Sequence, residues 1–322
     1  ASNTMAPQQS IRALLAYAGN IFSQVPLGGI ANPFDSGSAV VGNTGSQQQQ
    51  CHYSPLTGAP ACPIDGPMSC HNNTPVVGNS CCFVHPGGQL MLTQFWDQDI
   101  HEGGSDEDWT IHGLWPDLCN GGYEQFCNIA PQYRNITEIL HAHGQADLVS
   151  FMNRYWVADR GTNDHLWEHE WNKHGTCINT LAPACYSTPS SSSCSSTAAA
   201  VASPGEMAVV DYFTRAVALF KTLDTYTALE RAGIVPHARK RYPLVDVQKA
   251  LAEYLGGGKV ALRCRGGNRH RKGDVLNEAW FVYYVKGSLQ TGEFVPAPPT
   301  GRDATNCAPW IKYPPKRRRG DL

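Results

Sequence analysis

The sequence predicts one α+β domain rich in disulfides. Strand-like and helix-like runs alternate only irregularly, cysteines are spread over most of the chain, and no internal repeat is evident. Gln89 to Trp96, Trp109 to Trp115 and Ala279 to Val285 read as strands, whereas Met207 to Leu223 and Val245 to Leu255 read as helices. A regular β-α repeat would have pointed to a doubly wound sheet, and the irregular order points away from it.

Taken in chain order, residues 1–50 stand apart. A helix-like stretch from Ile11 to Phe22, apolar at Ile11, Leu14, Leu15, Ala18 and Phe22, precedes a Gly/Asn/Ser run that ends in four glutamines. This reads as an appended N-terminal extension and a flexible linker. Residues 51–315 read as one unit, interrupted at 186–204 by a Ser/Ala-rich surface insertion. Residues 316–322 form a basic C-terminal tail.

The run from Leu166 to His174 contains no proline or glycine. Thr162, Asn163 or Asp164 offers a cap before it, and Gly175 offers a stop after it, which predicts a helix.

Twelve cysteines in 322 residues, with Cys81 and Cys82 adjacent, favour extracellular disulfides over a zinc cluster. Spacing alone does not give their pairing. The sequons at Asn72 and Asn135 are candidate glycan acceptors. No signal peptide is visible at Ala1, so a mature chain is expected, and no apolar run is long enough to span a membrane. The formal net charge of −2 argues against global attraction to polyanions. Lys259, Arg263, Arg265, Arg269, Arg271 and Lys272 do gather in one Gly-rich stretch, and Lys316 to Arg319 in another, but both read first as solvated segments.

Two segments carry chemistry: WTIHGLWPD, from Trp109 to Asp117, and WEHEWNKHGTC, from Trp167 to Cys177. Histidine is the side chain that titrates unperturbed near neutrality, so two of them flanking a phosphodiester can act as base and acid. RNA brings its own nucleophile, the ribose 2′-hydroxyl. A cation is then needed for the charge that builds on phosphorus. His112, His169, Lys173 and His174 meet those needs. On a helix, Glu170 would lie beside His174 and His169 beside Lys173, each pair being four apart.

Zinc-binding helices place two histidines four residues apart. His169 and His174 are five apart, which on a continuous helix separates them by about 140°. No metal is therefore expected, and no phosphate loop, dinucleotide motif or serine elbow points to a cofactor. His52, His71 and His85 read as structural or surface residues, and Trp109, Trp167 and Trp171 as core packing.

The two segments, in this order and about fifty residues apart, resemble the signature motifs of the ribonuclease T2 family. The resemblance implies a central antiparallel sheet backed by helices. It makes His174 the general base and His112 the general acid. His169 would bind the phosphate, while Glu170 and Lys173 assist and stabilise the pentacovalent state. Trp115, Asp117 and Tyr123 would hold one base, and Gln94 would lie near the downstream base. Val157-Ala158-Asp159 departs from the Pro-Ser-Asn of some relatives, leaving downstream preference open.

Fungal relatives further imply the pairs Cys62–Cys82, Cys70–Cys119, Cys81–Cys185, Cys127–Cys177 and Cys264–Cys307. Cys51 and Cys194 are left over, to pair with each other or outside this framework. The expectation is a monomeric, secreted or vacuolar-lysosomal, metal-independent endoribonuclease. It would cleave single-stranded RNA by transesterification through a 2′,3′-cyclic phosphate to 3′-phosphate ends. The alternative is a secreted binding or cytotoxic protein on the same scaffold, with RNA cleavage incidental.

Overall fold

The computed structural model describes residues 62–71, 80–100, 105–186, 203–256, 258–268, 270–301 and 304–318. The N-terminal extension, Cys51, Asn72, Cys194, Arg269, most of the Ser/Ala-rich insertion and residues 319–322 lie outside them.

A seven-stranded sheet forms the centre. Strands β1 (Gln89–Phe95) and β3 (Thr110–Asp117) pair antiparallel, and β1 also pairs with the long β6 (Gly273–Lys286). The other edge of β6 takes β5 (Val260–Arg265) and then β7 (Glu293–Pro296). Strand β8 (Cys307–Lys312) runs parallel to the start of β6 and antiparallel to β4 (Arg241–Pro243). The sheet is therefore mixed, antiparallel in every pair but β6–β8.

Helices α1 (Ile136–Ala142), α2 (Ala146–Tyr155), α3 (Asn163–Lys173), α4 (Pro204–Lys221), α5 (Thr225–Arg231) and α6 (Leu244–Tyr254) complete a single α+β domain. Helix α4 shows how the sequence nucleates one of them. Ser203 accepts from the Glu206 N–H, Glu206 reaches back to the Ser203 N–H, and Pro204 pre-sets the first turn. Its apolar residues, with Leu90 and Leu92 of β1, Ile111 and Leu114 of β3 and Trp156, Trp167 and Trp171, form the main core. The three tryptophans of the two motifs that were expected in the core lie there. Each spends its indole N–H: Trp109 on the Tyr313 hydroxyl, Trp167 on the Trp156 carbonyl and Trp171 on the Pro131 carbonyl.

Five disulfides join the described cysteines: Cys62–Cys82, Cys70–Cys119, Cys81–Cys185, Cys127–Cys177 and Cys264–Cys307. Cys119 lies just past β3, and Cys177 closes the turn after α3. Both bridges thus anchor segments that carry histidines.

Two boundaries differ from expectation. Tyr186 is buried with its hydroxyl on Asp211, and Ser203 and Pro204 start α4, so the insertion is narrower than 186–204. The C-terminal basic run is not a free tail at its start. Lys316 lies over the Trp96 ring and donates to the Asp108 carbonyl. Strand β9 (Arg317–Arg318) then pairs parallel with β2 (Asp99–Ile100). Desolvation holds the Lys316 ammonium down to about 8, against the pull of Asp108 and neighbouring aspartates.

Candidate active site

The site begins with a count of residues in β3. Thr93 of β1 faces Gly113 and Gln94 faces Ile111, so His112 is an extra residue, a bulge. A strand alternates sides with period two, and one extra residue flips the alternation. Ile111 and Leu114 therefore both enter the core, while His112 and Trp115, three apart, share the opposite face. The Thr93 hydroxyl pins the bulge by donating to the Gly113 carbonyl at 3.2 Å and accepting from its N–H at 3.1 Å. The Trp156 indole holds the His112 carbonyl at 2.9 Å.

Helix α3 supplies the other half. Thr162 caps it, accepting from the His165 N–H at 3.3 Å. The helix ends at Lys173, and His174 follows with φ −112° and ψ −52°. Gly175 is required for space, because a Cβ there would come 2.5 Å from the Trp171 ring. Beyond it the chain tightens into a short 3-10 turn.

Because the helix stops before His174, the divergence expected from five-residue spacing does not occur. The His169 and His174 rings lie 6.3 Å apart, and one ligand-type atom from each of His169, Glu170 and His174 falls within 4.8 Å of the others. The case against a metal must then rest on charge. Lys173 adds positive charge beside these three groups, which is unfavourable to a cation.

The Trp115 indole joins the two halves. Its N–H donates to Glu170 Oε2 at 2.9 Å, and its ring stacks on His174 at 5.0 Å and meets His112 edge-on at 4.7 Å. Glu170 Oε1 lies 3.9 Å from His112 Nε2. Gly113 makes room for this carboxylate, since a Cβ there would fall 1.9 Å from Glu170 Oε2 and 2.5 Å from Trp115 Nε1.

Electrostatics set the protonation states. Glu170 is fully buried, and desolvation lifts its carboxyl to about 7 despite His112, the Trp115 bond and Lys173. His174 is pushed down to about 2 by burial first, then by the charges of Lys173, His169 and His112. His169 is lowered for similar reasons, burial first and Lys173 next. His174 Nε2 and Glu170 Oε1 are buried without a hydrogen-bond partner among the described residues. Buried polar atoms left unpaired in a cleft mark a place where a bound molecule supplies the partner.

The remaining expected residues divide. Asp117 is buried at the end of β3 and forms a β-bridge with Tyr123, whose ring is 60% exposed and available for stacking. Trp115 already has His174 on its ring and its N–H on Glu170, so it braces the two histidine segments. Gln94 does not reach the site. It shares the core-facing side of β1 with Leu90 and Leu92, is fully buried, and bonds the Leu223 carbonyl and the Thr225 hydroxyl. Motif reasoning missed Gly113, Thr93 and a cleft of about 240 Å³ beside His169. That cleft is lined by Phe126, Gln132, Arg134, His165, Glu168 and Asn172 besides His169. Nothing in either motif points to Phe126 or Arg134, which follow from tertiary contact alone.

Replacing Glu170 with glutamine separates catalysis from stability. A raised carboxyl means that the folded state holds its proton more tightly than the unfolded chain. Stability is then full below pH 4.5 and is lost as pH rises towards about 7. The lowered His174 and His169 act oppositely, losing stability as pH falls below 6.5, in both proteins alike. Glutamine keeps an acceptor for Trp115 and removes the buried charge. Glu170→Gln is expected to melt higher than the native protein above pH 7, by up to about 3 kcal/mol. Cleavage should fall about 100-fold. Parallel melting curves from pH 4 to 8 would refute the buried-charge account.

Comparison with known proteins agrees with this geometry. A model of the ribonuclease T2 family matches residues 87–296. The chain is 44% identical over 258 residues to ribonuclease T2 of Aspergillus oryzae, covering 80% of this chain and 85% of that protein. It is 46% identical over 256 residues to ribonuclease Trv of Hypocrea rufa, covering 80% and 98% respectively. Among solved structures, that of Actibind, a T2 ribonuclease, superposes with a TM-score of 0.67 at 40% identity, covering 80% of this chain and 99% of that one. With a matching family model over most of the chain, these relatives and a sheet-and-helix frame carrying both histidine segments, the protein belongs to the ribonuclease T2 family and is an endoribonuclease of that type.

Proposed function

We propose that the enzyme cleaves single-stranded RNA without a metal, by transesterification to a 2′,3′-cyclic phosphate that it then hydrolyses to a 3′-phosphate. The observation that carries this reading is the buried, unpartnered Nε2 of His174 beside Glu170. A neutral imidazole with a free lone pair accepts the proton of the 2′-hydroxyl. The 2′-oxygen attacks phosphorus, the bond to the 5′-oxygen breaks, and protonated His112 gives its proton to that leaving oxygen. In the second step water replaces the 5′-hydroxyl and the two histidines exchange roles. Lys173 and His169 stabilise charge on the phosphoryl oxygens.

Burial and neighbouring cations keep His174 neutral well into the acid range, so a low-pH optimum follows if His112 must be protonated. A cation bound to His174 would take the lone pair that the base needs. Exposed Tyr123 beside Asp117 supports stacking of an unpaired base, the usual means of holding single-stranded RNA. The disulfides fit a secretory route, and we propose a secreted or vacuolar monomer carrying a glycan on exposed Asn135.

Digestion of a mixed-sequence RNA in excess chelator tests the reading. Cyclic-phosphate ends, a bell-shaped pH profile and intact single-stranded DNA are the expected results. Loss of cleavage in chelator with recovery on adding metal would overturn it, as would comparable cutting of DNA or a flat profile from pH 4 to 8.

A further inference from the structure

We infer that Glu278 is a positioning residue for the acid His112, fixing the direction of its ring and setting a carboxylate beside its Nδ1. The inference rests on the proposed role of His112. Glu278 lies on β6, opposite Phe95 of β1 on one side and Arg263 of β5 on the other, far in sequence from both histidine segments. Its Oε2 is 3.6 Å from His112 Nδ1, an ion-pair separation. Among the described residues no group forms a hydrogen bond to that buried nitrogen, so the carboxylate faces an otherwise unpartnered atom.

Both side chains are shielded, 24% exposed for His112 and 14% for Glu278, so their attraction is screened less than on an open surface. The carboxylate is itself fixed. The Trp280 indole donates to Oε2 at 2.6 Å and the Asn277 amide to Oε1 at 3.0 Å. The Arg263 guanidinium lies 4.3 Å over the Trp280 ring. Phe95 stacks on His112 at 4.0 Å, which fixes the plane of the imidazole and leaves it chiefly a half-turn about Cβ–Cγ that would exchange Nδ1 for Cδ2. Glu278 removes that freedom.

The titratable groups facing His112 are Glu170, His169 and His174 from α3 and its end and Glu278 from β6; Lys173 acts on Glu170 and Arg263 of β5 on Glu278. The two carboxyls differ in state. Burial works to raise Glu278, but His112, the Trp280 bond and Arg263 together outweigh it and hold the group below its ordinary value. Glu170 is lifted towards neutrality. On the acid side of neutrality, then, the negative charge beside His112 is that of Glu278. One ring nitrogen is oriented by a carboxylate, and the other is left facing Glu170 Oε1, where a leaving oxygen would be met.

Glu278→Gln keeps the shape and one acceptor oxygen for the Trp280 indole while removing the charge; its NH2 replaces the oxygen that the Asn277 amide reaches. Its kcat should fall about tenfold, less than the whole contribution of a general acid. KM should change little, and the alkaline limb of the kcat/KM profile should move to lower pH by about one unit. Glu278→Asp retains the charge, and its limb should stay between those of the native enzyme and the glutamine variant. In the native protein, a ¹⁵N or ¹³C titration of the His112 ring should show a second inflection in the carboxylate range as Glu278 ionises. A uniform loss of rate with an unmoved limb, or a His112 titration without that inflection, overturns the inference. Full cleavage by His112→Phe would instead remove the acid role on which it stands.

Discussion

His174→Phe is expected to fold, to melt within a few degrees of the native enzyme and to lose RNA cleavage by about 10³- to 10⁴-fold or more. The aromatic replacement keeps the contact with Trp115, which stacks on His174 at 5.0 Å and 19° in the native chain. What disappears is a ring nitrogen, and with it the lone pair that takes the 2′-hydroxyl proton. Product formation from a dinucleoside monophosphate, followed with melting temperature, checks both halves. A variant cleaving within tenfold of the native rate would show that the base lies elsewhere. Retention of some separate biological effect by an inactive His174→Phe protein would favour a binding role on this scaffold.

Gly113→Ala should be nearly as damaging to catalysis, although glycine has no functional group to lose. The added methyl would enter the space held by the Glu170 carboxylate, 1.9 Å from Oε2. Glu170 is fully buried and tied to Trp115, so it cannot yield without breaking that bond or shifting β3 against α3. Cleavage should drop about 100-fold or more, and stability by about 1–3 kcal/mol from overpacking. A double-mutant cycle identifies the cause. In a Glu170→Ala background the methyl no longer meets a carboxylate but still comes 2.5 Å from Trp115 Nε1, so adding Gly113→Ala should cost less activity than it does in the native enzyme. Additive losses would place the damage at Trp115 or in the strand rather than at Glu170.

The parts legible in the sequence were those with short-range signals. The ends of α3 were marked by Thr162 and Gly175, the apolar run of Met207 to Leu223 marked α4, and strand-like runs marked β1 and β3. Helices α1, α2 and α5 were not singled out: α1 and α5 are seven residues each, and α2 is amphipathic but short; α1 is held against α2, α3 and α4, and α5 against α6. At the site, residue types gave the histidine inventory but not its geometry. Gln94 was misplaced because alternation along β1 turns it inward. The two histidines of the second motif converge because a helix can end one residue before the last of them. Gly113, Thr93 and Glu278 were invisible for a common reason: their partners are on other elements, and no local pattern records such a meeting.

The bulge at His112 has a consequence for how this enzyme can vary. Side chains near the acid can change by degrees, each costing some rate or stability. The number of residues between His112 and Trp115 cannot, because parity has no intermediate value. Loss of a single codon in that stretch would leave strand, core and disulfides in place yet send one of the two rings through to the other side of the sheet. Drift can rewrite the letters of this segment but is barred from changing its length.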